Sequence, residues 1–324
     1  LHLHTHYSFL DGLCKIEPLL DRAKELGFHA LAITDSEGMF GVVKFYDEAI
    51  NRGIKPIIGC EVYVAPGSRK DKGGKGIREA SYHLTLLAST DEGYRNLMKL
   101  VSIGYLEGYY YRARIDKEVL AQYSKGIIAL SGCLKGEVPF LIAQGKVDEA
   151  EKRAKIYKEI MGEGNFFLEL MNLSLPGQDI INREIVRIAR KLDIPLVATN
   201  DVHYIYKEDA QVHEVLLCIQ TKTTLSSPRR LKFGSQEFYL KSSEEMKELF
   251  REVPEAIKNT VEIAERCNVK IPSDVFYLPR FPVPEGFNLE TYLEKLVWEG
   301  AKKRLGEIYS EVKKRIKYEP EVIK

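Results

Sequence analysis

Apolar residues alternate along the first two hundred positions between helix-like spacing and short unbroken runs. Ile16, Leu19, Leu20, Ala23 and Leu26 share one helix face, with Gly27 where a C-terminal cap belongs. HALAITD (His29 to Asp35) reads as a buried strand, Val42 to Asn51 as a helix, and KPIIGCEVYV (Lys55 to Val64) as a second apolar strand. The alternation continues with YHLTLLA (Tyr82 to Ala88), a helix from Asp91 toward Tyr105, GIIALSG (Gly126 to Gly132) and a helix through Ala154 and Ile160. NFFLELM (Asn165 to Met171), a helix carrying Ile181, Ile185, Ile188 and Leu192, and IPLVATND (Ile194 to Asp201) complete it. With the opening LHLHT counted as a strand, the pattern predicts seven buried strands alternating with helices. That rhythm belongs to a parallel sheet, so the expected fold is a barrel-like α/β arrangement, with an open doubly wound sheet as the competitor.

Past His203 the pattern changes to helices and short strands: Glu208 to Ile219, EFYLKS, Ser243 to Phe250 and Pro254 to Cys267. Pro272, Pro279, Pro282 and Pro284 then punctuate a linker, 271–288, beyond a first domain at 1–270. The charged helical stretch 289–324 reads as a C-terminal extension, the truncated start of a following module. Two interruptions break the barrel pattern. Pro66 to Arg78, PGSRKDKGGKGIR, is rich in Gly and basic residues and reads as a loop, solvated or in contact with a phosphate backbone through Arg69, Lys70 and Lys75. GYYYRARID (Gly108 to Asp116) interleaves three tyrosines with Arg112 and Arg114, a composition suited either to stacking bases and holding phosphates or to packing a barrel rim.

Composition narrows the classes. The chain is 44% hydrophobic, enough for a large core, and no apolar run reaches the length of a membrane span. Neither membrane insertion nor secretion is expected. Five scattered cysteines, odd in number and without C-x-x-C spacing, fit a reducing cytoplasm. With 48 basic against 47 acidic side chains, bulk charge steers no nucleic acid, so any DNA contact must be local. The chain starts without Met on a strand-like segment and is expected to be a trimmed piece.

Candidate chemistry begins in LHLHTHYSFLDG. His2 and His4, one residue apart on an extended segment, project to the same side as a two-pronged metal clip, and Asp11 follows after a short turn. Glu61, His83, Cys133, Asp201 and His203 fall at or near strand ends, apart from His83, which lies within its strand. In a parallel barrel the C-terminal strand ends share one face, where barrel enzymes place their sites. Asp201 and His203 repeat the spacing of His2 and His4, whereas His6, His29 and His213 stand outside the pattern.

LHLHTHYSFLDG, AITDSEGMFG, GCEVYVAP, YHLTLLA, ALSGCLKGEVP and ATNDVHYIYKEDAQVHEVLLCIQT, in that order, closely resemble the PHP (polymerase and histidinol phosphatase) domain of the bacterial DNA polymerase III alpha subunit. HEVLLCIQT, EFYLKS and NTVEIAERCNV resemble the polymerase branch more than free-standing histidinol phosphatases. The resemblance implies a distorted seven-stranded (β/α) barrel and a centre of two or three divalent metal ions (Zn, Mn or Fe). It implies His2, His4, Asp11, Glu61, His83, Cys133, Asp201 and His203 as ligands, with Glu61, His83 and Asp201 as the candidate catalytic residues. Ser36 stands where the family usually has a ligand histidine, which weakens a third metal position or leaves it to borrow Glu37. The implied activity is 3′–5′ exonucleolytic hydrolysis of DNA ends; the alternative is a docking domain that stabilises a polymerase and binds a separate proofreading exonuclease. The implied partners are a DNA primer terminus and the remaining polymerase domains, in the cytoplasm and away from membranes.

Overall fold

The computed structural model describes residues 1–73, 81–272, 278–279 and 281–323 of the chain. It divides into two units, Leu1–Ile271 and Pro272–Lys324. The second unit contains the helices Leu289–Leu305 and Ser310–Ile323. Among the described residues no helix is long and apolar enough to cross a membrane.

The first unit is built on a curled, seven-stranded sheet with helices packed outside it. Its strands are β1 (Ala30–Ile33), β2 (Lys55–Val64), β3 (Tyr82–Ala88), β4 (Arg114–Ile115), β5 (Ile127–Leu130), β6 (Phe166–Met171) and β7 (Leu196–Thr199). The order is β1-β2-β3-β5-β6-β7, with β4 added beside β2. The apolar runs are buried because both sheet faces are covered; β5, β6 and β7 have no exposed residue. The helix Ile16–Glu25 buries Ile16, Leu19, Leu20 and Ala23. Gly27 follows at φ +74°, and Phe28 N closes the cap on Ala23 O at 2.9 Å.

The expected all-parallel sheet is corrected at one strand. β3 runs antiparallel to both β2 and β5, while β1–β2, β2–β4, β5–β6 and β6–β7 are parallel. β3 lies beside β2 with the register running from Gly59–Leu87 to Val64–Tyr82, the start of one strand against the end of the other. Reversal has a functional result: the first residues of β3, His83 among them, lie at the same end of the sheet as the last residues of its neighbours.

The opening segment is also not a laddered strand, and the seventh strand is instead the two-residue β4 within GYYYRARID. Leu1–Thr5 works as a stitch. His4 N donates to Val202 O at 2.8 Å and Val202 N to His2 O at 3.1 Å, while Thr34 N donates to Leu3 O at 3.0 Å. Five residues thereby join the segment after β7 to the end of β1 and curl the sheet toward closure. EFYLKS forms no ladder either; it meets the barrel at the isolated bridge Tyr204 to Tyr239 and through bonds such as His203 N to Phe238 O at 2.8 Å.

The basic interruptions are partly structural. Arg69 is buried, its guanidinium on Asp116 (3.0 Å) and Glu107 (2.6 Å). Arg114 is buried too and donates to the carbonyls of Gly108, Arg69 and Asp71 at 2.7–3.1 Å. Phosphate contact was one of two readings for each, and these bonds sew the 66–73 loop onto β4. Lys70 is exposed, and Lys75 lies outside the described residues.

One close approach fixes the helix Asp91–Leu106. Thr90 caps its start by accepting from Gly93 N at 3.1 Å, and a Cβ built on Gly93 would meet Gly126 O at 1.7 Å. Gly93→Ala is expected to lower stability by about 1–3 kcal/mol, read as a shift of the denaturant midpoint at constant slope. An unchanged midpoint would mean that this helix start yields without strain.

Candidate metal centre

The segment Leu1–Thr5 alternates sides, so His2 and His4 face inward together at the mouth of the barrel, their ring centroids 5.2 Å apart. His203 brings a third ring within 4.5 Å of His4. Asp201 sits between them: its Oδ1 is 3.3 Å from His4 Nε2, 3.5 Å from His2 Nε2 and 3.6 Å from His203 Nδ1. Asp201 holds φ at +50°, an uncommon conformation for a residue with a side chain, directly after the β7 end. On β2 and the reversed β3, Glu61 Oε1 lies 2.7 Å from His83 Nδ1 and 3.3 Å from His2 Nε2, and Cys133 Sγ lies 3.6 Å from His83 Nδ1.

Two donor sets result, His2–His4–Asp201 and Glu61–His83–Cys133, each with its ligand atoms within 4.8 Å of one another. Asp11 and His203 form a pair beside them, Oδ2 to Nε2 3.7 Å. The structure therefore brings all eight sequence-selected donors to one mouth. Ser36 is there as well, but its hydroxyl is hydrogen-bonded within the cluster, donating to Glu61 Oε2 (3.1 Å) and lying 3.3 Å from His4 Nδ1. Glu37 is engaged elsewhere. Its Oε1 accepts from Arg112 Nη1 at 2.7 Å, and it belongs to neither donor set.

The residues present fit divalent cations on three grounds. His2 Nε2 is fully buried and has no hydrogen-bond partner, although it faces two carboxylates. A buried ring nitrogen left unsatisfied costs about 1–3 kcal/mol, which a coordinated cation would relieve. Second, among the described residues no lysine or arginine is ion-paired with Asp11, Glu61, Glu169 or Asp201. Third, mixed imidazole, carboxylate and thiol donors suit zinc-like, manganese-like or iron-like ions.

Electrostatics follow from this crowding. Burial opposes the charge on His203, yet Asp201 and Asp11 raise its pKa to about 9. Burial likewise works against the Asp201 and Glu61 carboxylates, and the surrounding imidazoles hold both well below the usual range. Enclosure and then the charges of Asp201 and Glu61 push the Cys133 thiol well above its ordinary value. A cation would supplant these protons and bind the thiolate.

Several positioning residues escaped the sequence reading. Glu169, on β6, accepts from His2 Nδ1 at 2.9 Å and from Thr199 Oγ1 at 2.5 Å, which fixes the ring and turns Nε2 toward the mouth. Its signal was a lone acid inside the apolar run FFLELM. Asp35 gathers the opening loop, accepting from Thr5 N, Thr5 Oγ1 and Ser8 Oγ at 2.6–2.7 Å. His213, set aside by spacing, is buried, and its Nε2 lies 2.8 Å from Asp11 O.

Comparison with known proteins gives the following. Residues 1–172 match the PHP domain family. The DNA polymerase III subunit alpha of Treponema pallidum is 46% identical over 324 residues, covering 100% of this chain and 28% of that protein. That of Thermus aquaticus is 47% identical over 313 residues, 94% of this chain and 26% of that protein. The chain thus spans little more than a quarter of the length of these curated relatives. Among solved structures, a two-domain protein from Bacteroides vulgatus containing a predicted PHP-like metal-dependent phosphoesterase superposes with a TM-score of 0.36 at 16% identity. The match covers 62% of this chain and 50% of that one.

Glu169→Gln keeps an acceptor for His2 Nδ1–H but removes the charge that makes the ring a better donor. It is expected to weaken metal binding by about 10- to 100-fold in chelator competition. Unchanged affinity would show that Thr85, whose Oγ1 lies 3.3 Å from His2 Nδ1, and packing alone suffice to orient His2.

Proposed function

The chain belongs to the PHP domain family, and from that premise we propose that it is the metal-dependent phosphoesterase module of a bacterial replicative DNA polymerase, trimming DNA 3′ ends. The observation that carries this reading is the convergence of two three-residue donor sets on either side of one carboxylate, Glu61. In it, His2, His4 and Asp201 would hold one divalent cation, and Glu61, His83 and Cys133 would hold a second. Asp11 and His203 are left with a weakened third position, since Ser36 offers a hydroxyl already engaged by Glu61 and His4.

When bound, such ions supply hydroxide near neutral pH by lowering the pKa of water toward about 7, and they offset charge on the phosphate. The protein's own contribution is orientation. Glu169 locks the His2 ring, the Asp201 carbonyl accepts from His203 Nδ1 at 2.8 Å and so directs Nε2 toward Asp11, and His213 ties down the Asp11 loop. Phosphate ester hydrolysis is among the slowest uncatalysed reactions, and a single Lewis acid worth several kcal/mol falls short of it, so clustered donors suit this task. The partners under this reading are a primer terminus and the further domains of a longer polymerase chain, with nucleotidyl transfer carried out by those domains.

Ser36 favours a second reading. With one imidazole fewer, the module retains metal for stability and acts as a docking domain for a separate proofreading exonuclease. Metal analysis of the purified protein is expected to find two tightly held divalent ions per chain; three would overturn the weakened third position. With Mn²⁺ or Zn²⁺ the protein is expected to shorten a 5′-labelled primer, and Asp201→Asn or His83→Ala to slow this by on the order of 100-fold or more. No shortening with any metal would favour the docking reading.

A further inference from the structure

Three loops surround the mouth, and hydrogen bonds link them in series. Ser36 N donates to Ser8 Oγ at 3.1 Å, coupling loop 5–11 to loop 36–41, and Arg112 Nη1 donates to Glu37 Oε1 at 2.7 Å, coupling the latter to loop 109–112. Each loop holds a non-glycine residue in the left-handed region: Leu10 at φ +61°, Glu37 at +64° and Tyr111 at +61°. Three such conformations within linked loops persist only where the surrounding contacts hold them.

What these loops present is aromatic. Phe9 is 83% exposed, Phe40 73% and Tyr111 51%. Among the described residues of Leu1–Ile271, Phe9 and Phe40 are the only phenylalanines that face solvent, and they stand two residues before Asp11 and four after Ser36. A fixed cation accompanies them. The Arg112 guanidinium lies over the Tyr63 ring, 5.6 Å to the centroid, and Tyr63 sits edge-on to His83 at 4.6 Å. Positive charge is therefore held one ring away from the Glu61–His83–Cys133 set, and it keeps donors beyond the one given to Glu37.

We propose that this rim is a clamp for unpaired nucleotides at the end of a DNA strand, with Phe9, Phe40 and Tyr111 taking the faces of bases and Arg112 taking a backbone phosphate. Ring-on-base stacking tolerates any sequence, and a guanidinium matches phosphate geometry, so the two together select a polynucleotide end over a small phosphomonoester. The inference rests on the phosphoesterase reading for what happens below the rim, though strand binding is a separate property.

The two are separated by measuring binding without turnover. Fluorescence anisotropy would compare a short 5′-labelled DNA strand with a phosphorothioate 3′ end against the same strand carrying abasic sites at that end. The unaltered protein is expected to favour the base-bearing strand by about tenfold or more. The Phe9→Ala/Phe40→Ala double variant, altered only at exposed rings, is expected to bring that ratio close to one, and Phe9→Trp/Phe40→Trp to restore it. Arg112→Gln is expected to weaken both strands alike and to reduce the salt dependence by about one phosphate contact. A ratio near one in the unaltered protein, or an unchanged ratio in the double alanine variant, overturns the clamp; a rim that seats a protein partner would give that result. Failure to shorten a primer with any metal bears on the phosphoesterase reading alone.

Discussion

Crowded negative charge governs this structure. Asp11, Glu61, Glu169 and Asp201 are gathered at one end of the sheet with imidazoles as their ring partners and no lysine or arginine ion-paired to them among the described residues. Protons on His2 and His203 and the nearby charge of Lys135 offset part of this crowding. Divalent cations relieve it more fully, so their binding energy becomes folding energy for the segments that supply donors. Those segments are the stitch Leu1–Thr5, the ends of β2 and β7, the start of β3 and the turn at Cys133, which is to say most of the connections that curl the sheet.

Much of this was legible in the chain. His2 and His4, and again Asp201 and His203, are separated by one residue, and on extended backbone that spacing alone puts two donors on one side. The helix Ile16–Glu25 and its glycine cap could be placed because burial of one face imposes a period that no other element shares. Strand direction was hidden for the opposite reason. A fully buried strand reads as an apolar run in either sense, so YHLTLLA gave no sign that β3 is reversed; the oddity that His83 lay within its strand was the trace of it.

The other gaps share a cause. Residue type announces what a side chain is able to do, and only three-dimensional neighbours decide which ability is used. Arg69 and Arg114 carry the same group as Arg112, yet Arg69 is consumed by the Glu107 and Asp116 carboxylates and Arg114 by the carbonyls of Gly108, Arg69 and Asp71, while Arg112 stands at the mouth. Glu169 was absorbed into a strand because five of the seven residues in NFFLELM are apolar. Phe9 and Phe40 escaped because a hydrophobic residue is assumed to be buried until a structure shows otherwise.

The stitch also dictates a chronology. His2 and its orienting carboxylate are 167 residues apart, and the backbone partner of His4 comes later still, at Val202. A ribosome delivers the first half of the donors long before the second, so the nascent chain carries exposed histidines and an unpaired opening segment until the last strand emerges. Contacts of such long sequence separation form slowly, and the mouth is among the final parts of the molecule to assemble. The mouth therefore depends on pieces of chain that leave the ribosome at widely separated times.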